Sequence, residues 1–373
     1  MLGVAIVGCG QISGLHVAAY ADRDDARIVA LVDTDEGAAE QTSDRWQLQN
    51  PWIATDYHSV LQRPEVDLVE VLVPHHLHQE VAVAALAAGK HVSLQKPMAV
   101  SRTEADTLVE AGERAEGTLR VFENFIFYPP VQRAKAVIDA GELGEIQSIR
   151  IKSGVGFCEN AWPDPTEPWR YDSRKCGGGP MVFDDGHHKF ALAWYLVGPV
   201  RAVHSWVKWT EVEPGHWLDA PALVSWEHES GALGCLEVTY SPGLYVETKQ
   251  YPQDDRIEVT GTRGVMWITR GHGRLMDIAP LIVRRGRQTD YYDDMDIDWA
   301  ISFRLSTEHF LRSLHHGTKP VLTASEGREI LSFALAAQES ARTNRAISLD
   351  ADSVVGGNAG QANSGRESGL EPT

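Results

Sequence analysis

From Val4 to Phe122 the chain alternates short, almost wholly apolar runs with stretches in which apolar residues recur every three or four positions. The apolar runs are residues 4–7, 28–32, 68–73, 91–94 and 120–122, and continuous apolarity is what a strand covered on both faces requires. Helical spacing occupies residues 15–21, 36–46, 59–62, 78–88 and 103–115. Repeated strand–helix order predicts a parallel, doubly wound sheet.

Beyond Phe125 strands follow strands, at residues 146–154, 200–210, 222–229, 234–240, 256–260, 265–269 and 281–285. Such a succession predicts an antiparallel sheet. One helix interrupts it, starting near Pro180, running through 192–196 and stopping at Gly198-Pro199; two more, over 299–315 and 325–343, close the fold. The fold class expected is α/β: a doubly wound parallel sheet over 1–123, then an α/β domain over 124–350 with a large, mostly antiparallel open sheet. Residues 351–373, rich in Gly, Ser, Asn and Glu, are expected to be a disordered tail.

A length of 373 residues fits two cores better than one. The formal charge of −18 repels nucleic acid and anionic membrane surfaces, so neither is expected as a partner. No apolar run is long enough to span a membrane. Cys9, Cys158, Cys176 and Cys235 form no CxxC pair, which predicts a reducing, cytoplasmic setting.

Candidate chemistry begins at Gly8-Cys9-Gly10-Gln11-Ile12-Ser13, which follows a buried strand and opens a helix as a dinucleotide phosphate loop must. Gly8 permits the tight turn, and Gly10 lets the backbone approach a pyrophosphate seated on the helix N-terminus. The strand over 28–32 ends in Asp33, placed to accept from a ribose 2′-hydroxyl and to repel a 2′-phosphate; Thr34, Asp35 and Glu36 follow, with no arginine. NAD rather than NADP is therefore the expected cofactor. The plainer alternative is that Asp33 only caps the next helix.

Three further segments carry reactive side chains. In Gln95-Lys96-Pro97 a strand delivers a lysine to the carboxyl edge of the sheet, where ligands bind in such folds. After the triple glycine 177–179, Asp184 and His188 stand four residues apart and share a helix face. Before it, Trp169-Arg170 offers a stacking surface and a cation. Hydride transfer needs a proton acceptor and a cation for the developing alkoxide, which a histidine and a lysine supply when a carboxylate orients them.

Taken together, Gly8-Cys9-Gly10 with His16, Val71-Leu72-Val73-Pro74-His75-His76-Leu77-His78, Lys96-Pro97, Trp169-Arg170, the triple glycine with Asp184-x-Gly186-x-His188, and Gly261-Thr262-Arg263-Gly264 resemble the Gfo/Idh/MocA oxidoreductases over roughly residues 3–350. The resemblance implies a Rossmann domain followed by an α/β domain whose open sheet mediates homodimers or homotetramers. It implies a catalytic set of Lys96, Asp184 and His188, with His188 accepting the proton. It also implies that Pro74, His75, His78, Gln95, Lys96 and Asn124 join Gly8, Gly10, Gln11, Ile12, Asp33, Thr34, Trp169 and Arg170 around the cofactor. The substrate implied is a small sugar or polyol, touched by Lys96, Trp162, Trp169, Arg170, Asp184, His187 and His188. Other activities on this scaffold are glycoside cleavage through transient sugar oxidation and non-catalytic NAD sensing.

The chain departs from the family pattern at Gln95, where Glu is usual, at His75 for Asn, at Ala191 for a second Asp and at Ile126 for Arg. The histidines at 75, 76, 78, 187 and 188 have neither HExxH spacing nor a cysteine among them, so no metal is expected. Of the tryptophans, Trp206 and Trp226 fall in strand patterns and are expected in core or interface, whereas Trp162 and Trp169 are expected at the pocket.

Overall fold

The structure is a computed structural model that describes residues 1–21, 23–159 and 168–349. The tail expected over 351–373 and Trp162 lie outside the described residues.

The first sheet has six parallel strands: β1 (Leu2–Val7), β2 (Ala26–Val32), β3 (Trp52–Ala54), β4 (Leu68–Val71), β5 (His91–Gln95) and β6 (Leu119–Phe122), in the order β3-β2-β1-β4-β5-β6. Strand order reverses beside β1, which opens a crevice at the carboxyl ends of β1 and β4. The intervening helices are α1 (Ser13–Tyr20), α2 (Glu36–Arg45), α3 (Tyr57–Leu61), α4 (His78–Ala87) and α5 (Arg102–Arg114). Side chains placed by local sequence start three of them. Asp35, Asp56 and Ser101 accept from backbone N–H groups at the N-termini of α2, α3 and α5.

Helix α6 (Pro129–Asp139) leads into the second half, where β7 (Ile146–Phe157) is followed by the one-turn α7 (Ser173–Cys176) and then α8 (Gly186–Val197). After α8 come β8 (Val200–Val207), β9 (Thr210–Glu213), β10 (His216–Leu218), β11 (Ala222–His228), β12 (Leu233–Tyr245), β13 (Gln253–Gly261), β14 (Gly264–Ile268), β15 (Leu281–Arg285) and β16 (Gln288–Tyr292). Helices α9 (Ala300–His316) and α10 (Ala324–Thr343) and the short β17 (Ile347–Ser348) complete the described chain. Nine strands form one sheet in the order β16-β15-β14-β13-β7-β12-β11-β8-β17, and β9 and β10 make a separate hairpin. The large sheet is antiparallel except at its centre, where β7 and β12 run parallel.

The two halves interlock. Helix α9 packs on α1, and α10 packs on α5, β6, α8 and β8. Buried Arg120 of β6 donates to the Ser306 carbonyl and hydroxyl on α9, and the Val121 N–H donates to the Leu322 carbonyl. Thr323 and Glu326 close a reciprocal capping box at the start of α10.

Candidate active site

The carboxyl edge of the first sheet and the start of α8 together enclose a cavity of about 560 Å³. Its nucleotide end is built by the turn after β1. Gly8 has φ +102°, and a Cβ there would lie 2.6 Å from the Leu72 carbonyl oxygen, so only glycine fits. The Cys9 N–H donates to Asp33 Oδ2 at 2.8 Å and the Asp35 N–H to Asp33 Oδ1 at 3.0 Å, which locks the turn to the end of β2. Asp33 therefore does not cap α2; Asp35 does. Helix α1 has no side-chain cap and no acidic residue in its first turn, leaving N–H groups for an anion. This cradle fits a dinucleotide: Gly8, Gly10, Gln11, Ile12, Asp33 and Thr34 all line the cavity, with Pro74, His75, Gln95 and Asn124 further in.

At the other end the reactive side chains form two pairs. Lys96 Nζ donates to Asp184 Oδ1 at 2.8 Å and to the Asp184 carbonyl at 2.9 Å; Arg170 donates to the other carboxylate oxygen. Burial works against the Asp184 carboxylate, but Lys96, Arg170 and His75 more than offset it and hold its pKa well below the usual range. The second pair is His188 with Glu123, whose two oxygens lie 2.7 and 2.8 Å from Nδ1. Nδ1 is thereby engaged, leaving Nε2 as the nitrogen available for a proton. Burial lowers the His188 pKa well below its ordinary value, Lys96 and Lys189 lower it further, and burial raises that of Glu123.

Local backbone explains the placement. Gly177 has φ +98°, and a Cβ on Gly179 would stand 2.1 Å from Asp219 Oδ2. Residues Pro180–Asp185 wind as one wide π turn, with the Asp184 N–H reaching back to the Gly179 carbonyl, before α8 begins. Asp219 accepts from the Met181 and Val182 N–H groups at 2.7 and 2.8 Å, holding the turn that carries Asp184. Burial pushes the Asp219 carboxyl up to about 6 even though these N–H groups oppose the shift.

Fifteen of the expected residues line this one cavity, from Gly8 to His188, with Trp169 edge-on to His75 at 4.8 Å and beneath the Arg170 guanidinium. Two expected ligand-contacting histidines stand outside its lining. His78 is fully buried, with Nδ1 2.8 Å from the Pro97 carbonyl and Nε2 2.9 Å from the Val73 carbonyl, and burial lowers it to about 4; it braces the loops that carry Lys96. His187 is 1% exposed and is pushed down to about 3, mainly by burial, although the Glu123 carboxylate opposes the shift. Glu123 and Asp219 carry no motif in the sequence and were not anticipated. Among the described residues no three His, Cys, Asp or Glu side chains gather as metal ligands.

A family model described as an oxidoreductase family with an NAD-binding Rossmann fold matches residues 2–123, and one for the GFO/IDH/MocA C-terminal domain matches residues 131–267. The chain belongs to the Gfo/Idh/MocA oxidoreductase family. It is 24% identical over 351 residues to myo-inositol 2-dehydrogenase of Thermotoga maritima, covering 93% of this chain and 98% of that protein. Over 250 residues it is 30% identical to levoglucosan dehydrogenase of Pseudarthrobacter phenanthrenivorans, covering 64% of this chain and 62% of that one. A solved levoglucosan dehydrogenase complex with NADH shares the fold at a TM-score of 0.78 and 22% identity, covering 94% of this chain and 99% of the other.

Within the Gfo/Idh/MocA pattern, the Gln95 departure has a structural counterpart. Gln95 Oε1 accepts from the Lys96 N–H at 2.8 Å, and Nε2 lies 2.9 Å from His16 Nε2. On its other side His16 Nδ1 faces Glu70 Oε2 at 3.2 Å, and Tyr20 donates to Glu70 at 2.6 Å. Burial would raise the Glu70 pKa, but His16 and Arg120 outweigh it and lower the carboxylate. The negative charge missing at position 95 thus stands one strand over, joined to Gln95 through an imidazole.

Proposed function

We propose that this chain is an NAD-dependent dehydrogenase acting on a secondary alcohol of a sugar, glycoside or cyclitol, with residues 1–123 holding the nucleotide and 124–350 the substrate. One observation carries the reading: Lys96, Asp184 and His188, the last held from behind by Glu123, line the same cavity as the glycine loop and Asp33. The names of the inositol and levoglucosan dehydrogenases it resembles support the substrate class.

His188 Nε2 accepts the hydroxyl proton while Glu123, on Nδ1, fixes the ring and stabilises the imidazolium that forms. Lys96, oriented by Asp184, donates to the alcohol oxygen as negative charge develops there. NAD, which the glycine loop and Asp33 would hold, would supply a two-electron hydride acceptor for the carbinol carbon, whose loss of hydride and proton would leave a carbonyl. Asp33 accepts from the ribose hydroxyl and disfavours a 2′-phosphate. An absorbance screen at the NADH band with sugars and cyclitols, run with NAD and NADP in parallel, tests the reading. NADH formation with NAD preferred is the expected result; equal or faster rates with NADP would remove the role given to Asp33.

A homo-oligomer through the large sheet is part of this proposal. Trp206 and Leu223 are cross-strand partners and are 54% and 41% exposed, and Leu233 shares their face at 60% exposed. The cytoplasm is the compartment proposed, since no disulfide joins the cysteines among the described residues, the state a reducing pool maintains.

A further inference from the structure

Next to Asp184 and His188 in the chain, Asp185 and Lys189 anchor a second polar cluster, and what it recognises deepens the dehydrogenase reading on which it rests. Lys189 is fully buried and held by Asp185, 2.8 and 2.9 Å from the two carboxylate oxygens, and by Asp255 at 3.2 Å. Burial would lower the Lys189 pKa; the two carboxylates raise it instead and keep the ammonium charged. Gln253 donates from its amide nitrogen to Ser153 Oγ at 2.8 Å, to Asp185 Oδ2 at 2.9 Å and to Asp255 Oδ1 at 3.3 Å. Its N–H groups are therefore spent, and the group it has left for a ligand is its carbonyl oxygen.

Asp185 and Gln253 line the cavity that Lys96 and His188 line, whereas Lys189 and Asp255 stand behind them. The Asp185 side chain is 21% exposed. Asp185 and Gln253 themselves consequently offer acceptors, a carboxylate and a carbonyl, beside Tyr251 and the His272 imidazole, which also line the cavity. Acceptors recognise hydroxyl hydrogens; a carboxylate or phosphate brings no such hydrogen and adds like charge. The cations at the catalytic end do not reverse that sign. Lys96 and Arg170 are both matched to Asp184, Lys189 is matched to Asp185 and Asp255, and the Glu123 carboxyl stands in addition.

We propose that Asp185 and Gln253 form a hydroxyl-recognition subsite that makes the enzyme select an uncharged polyol and reject the corresponding sugar acid. The oxidised carbinol sits against Lys96 and His188, and a second hydroxyl, further along the same molecule, donates to the Asp185 wall. Phe125 and Trp299, which also line the cavity, offer apolar faces to the C–H groups between.

The test is the ratio of kcat/KM values for matched pairs, D-glucose against D-glucuronate and D-galactose against D-galacturonate, with the full chain and NAD. The neutral member is expected to be favoured by about 30-fold or more, mostly through KM, because like charges would be brought together in a low-dielectric site. An acid member used equally well or better overturns the subsite while leaving the dehydrogenase reading intact. Absence of turnover on every neutral and acid sugar, with NAD still bound, overturns that reading and the subsite with it. Asp185→Asn is expected to raise KM for the neutral sugar about tenfold and to narrow the gap to the acid; unchanged KM values for both would contradict the proposal. Gln253→Met removes the other acceptor without touching charge and is expected to raise KM for the neutral sugar too, so the test does not depend on one variant folding.

Discussion

At the scale of single residues, the lysine, aspartate and histidine proposed as catalytic stood out as candidates because each sits in a local context that limits its uses: a strand end before proline, or a helix start after glycines. Their partners were not. Glu123 and His188 are 65 residues apart and Lys96 and Asp184 are 88 apart, so no spacing in the sequence couples them. Glu123 leads to the first prediction. Because burial, then Lys96 and Lys189, hold His188 well below its ordinary pKa of 6.5, the ring is neutral at that pH and gains a proton only as pH falls further. The kcat/KM for alcohol oxidation is therefore expected to stay level as pH falls to 6.5 and to drop only below it. Glu123→Gln should lower kcat by about 100-fold while leaving NAD affinity intact, since the ring loses its anchor and the imidazolium its counter-charge. Steady-state profiles of both proteins check this; a Gln variant at the parent rate removes Glu123 from the mechanism.

Among elements, long buried strands and capped helices were readable from their periodicity, and short or topologically defined ones were not. Strand β3 has three residues, all half-buried, too few to show a period. Helix α6 opens with Pro129-Pro130, which reads as a break although proline suits the first helical turn, and its buried face of Val131, Ala134 and Val137 follows behind. The parallel pairing of β7 with β12 follows from chain routing, which alternation of side chains does not encode. The π turn was equally hidden, because it depends on Asp219 from a distant loop accepting its N–H groups. Glycine at 179 is required there, so Gly179→Ala should destabilise the protein by about 1–3 kcal/mol through overpacking and should also displace Asp184. A thermal melt beside a rate measurement reads both effects; a variant with unchanged melting temperature and rate would mean that the turn tolerates the methyl group.

For the whole molecule, a doubly wound parallel sheet followed by a large, mostly antiparallel one was legible, but the way α9 and α10 return to the first half was not, and the main buried cluster runs through both halves. Amphipathic helices declare a buried face without naming the surface that buries it. Trp226 proved to be core at 4% exposure, while its strand neighbour Trp206 stands outward. The exposed face that carries Trp206, Leu223 and Leu233 is expected to be the contact between copies, so Trp206→Glu should shift the mass in solution toward the monomer. Sedimentation velocity reads this directly, and an unchanged assembly would move the interface elsewhere.

An ammonium and an imidazole acting on the same alcohol beside the nicotinamide are the centre of the proposed mechanism. Lys96→Ala tests it most directly, with turnover and NAD affinity measured on one preparation. A fall in kcat of about 100- to 1,000-fold with NAD binding retained is predicted, as for loss of one preorganised donor to a developing oxyanion. Turnover near the parent rate would contradict it.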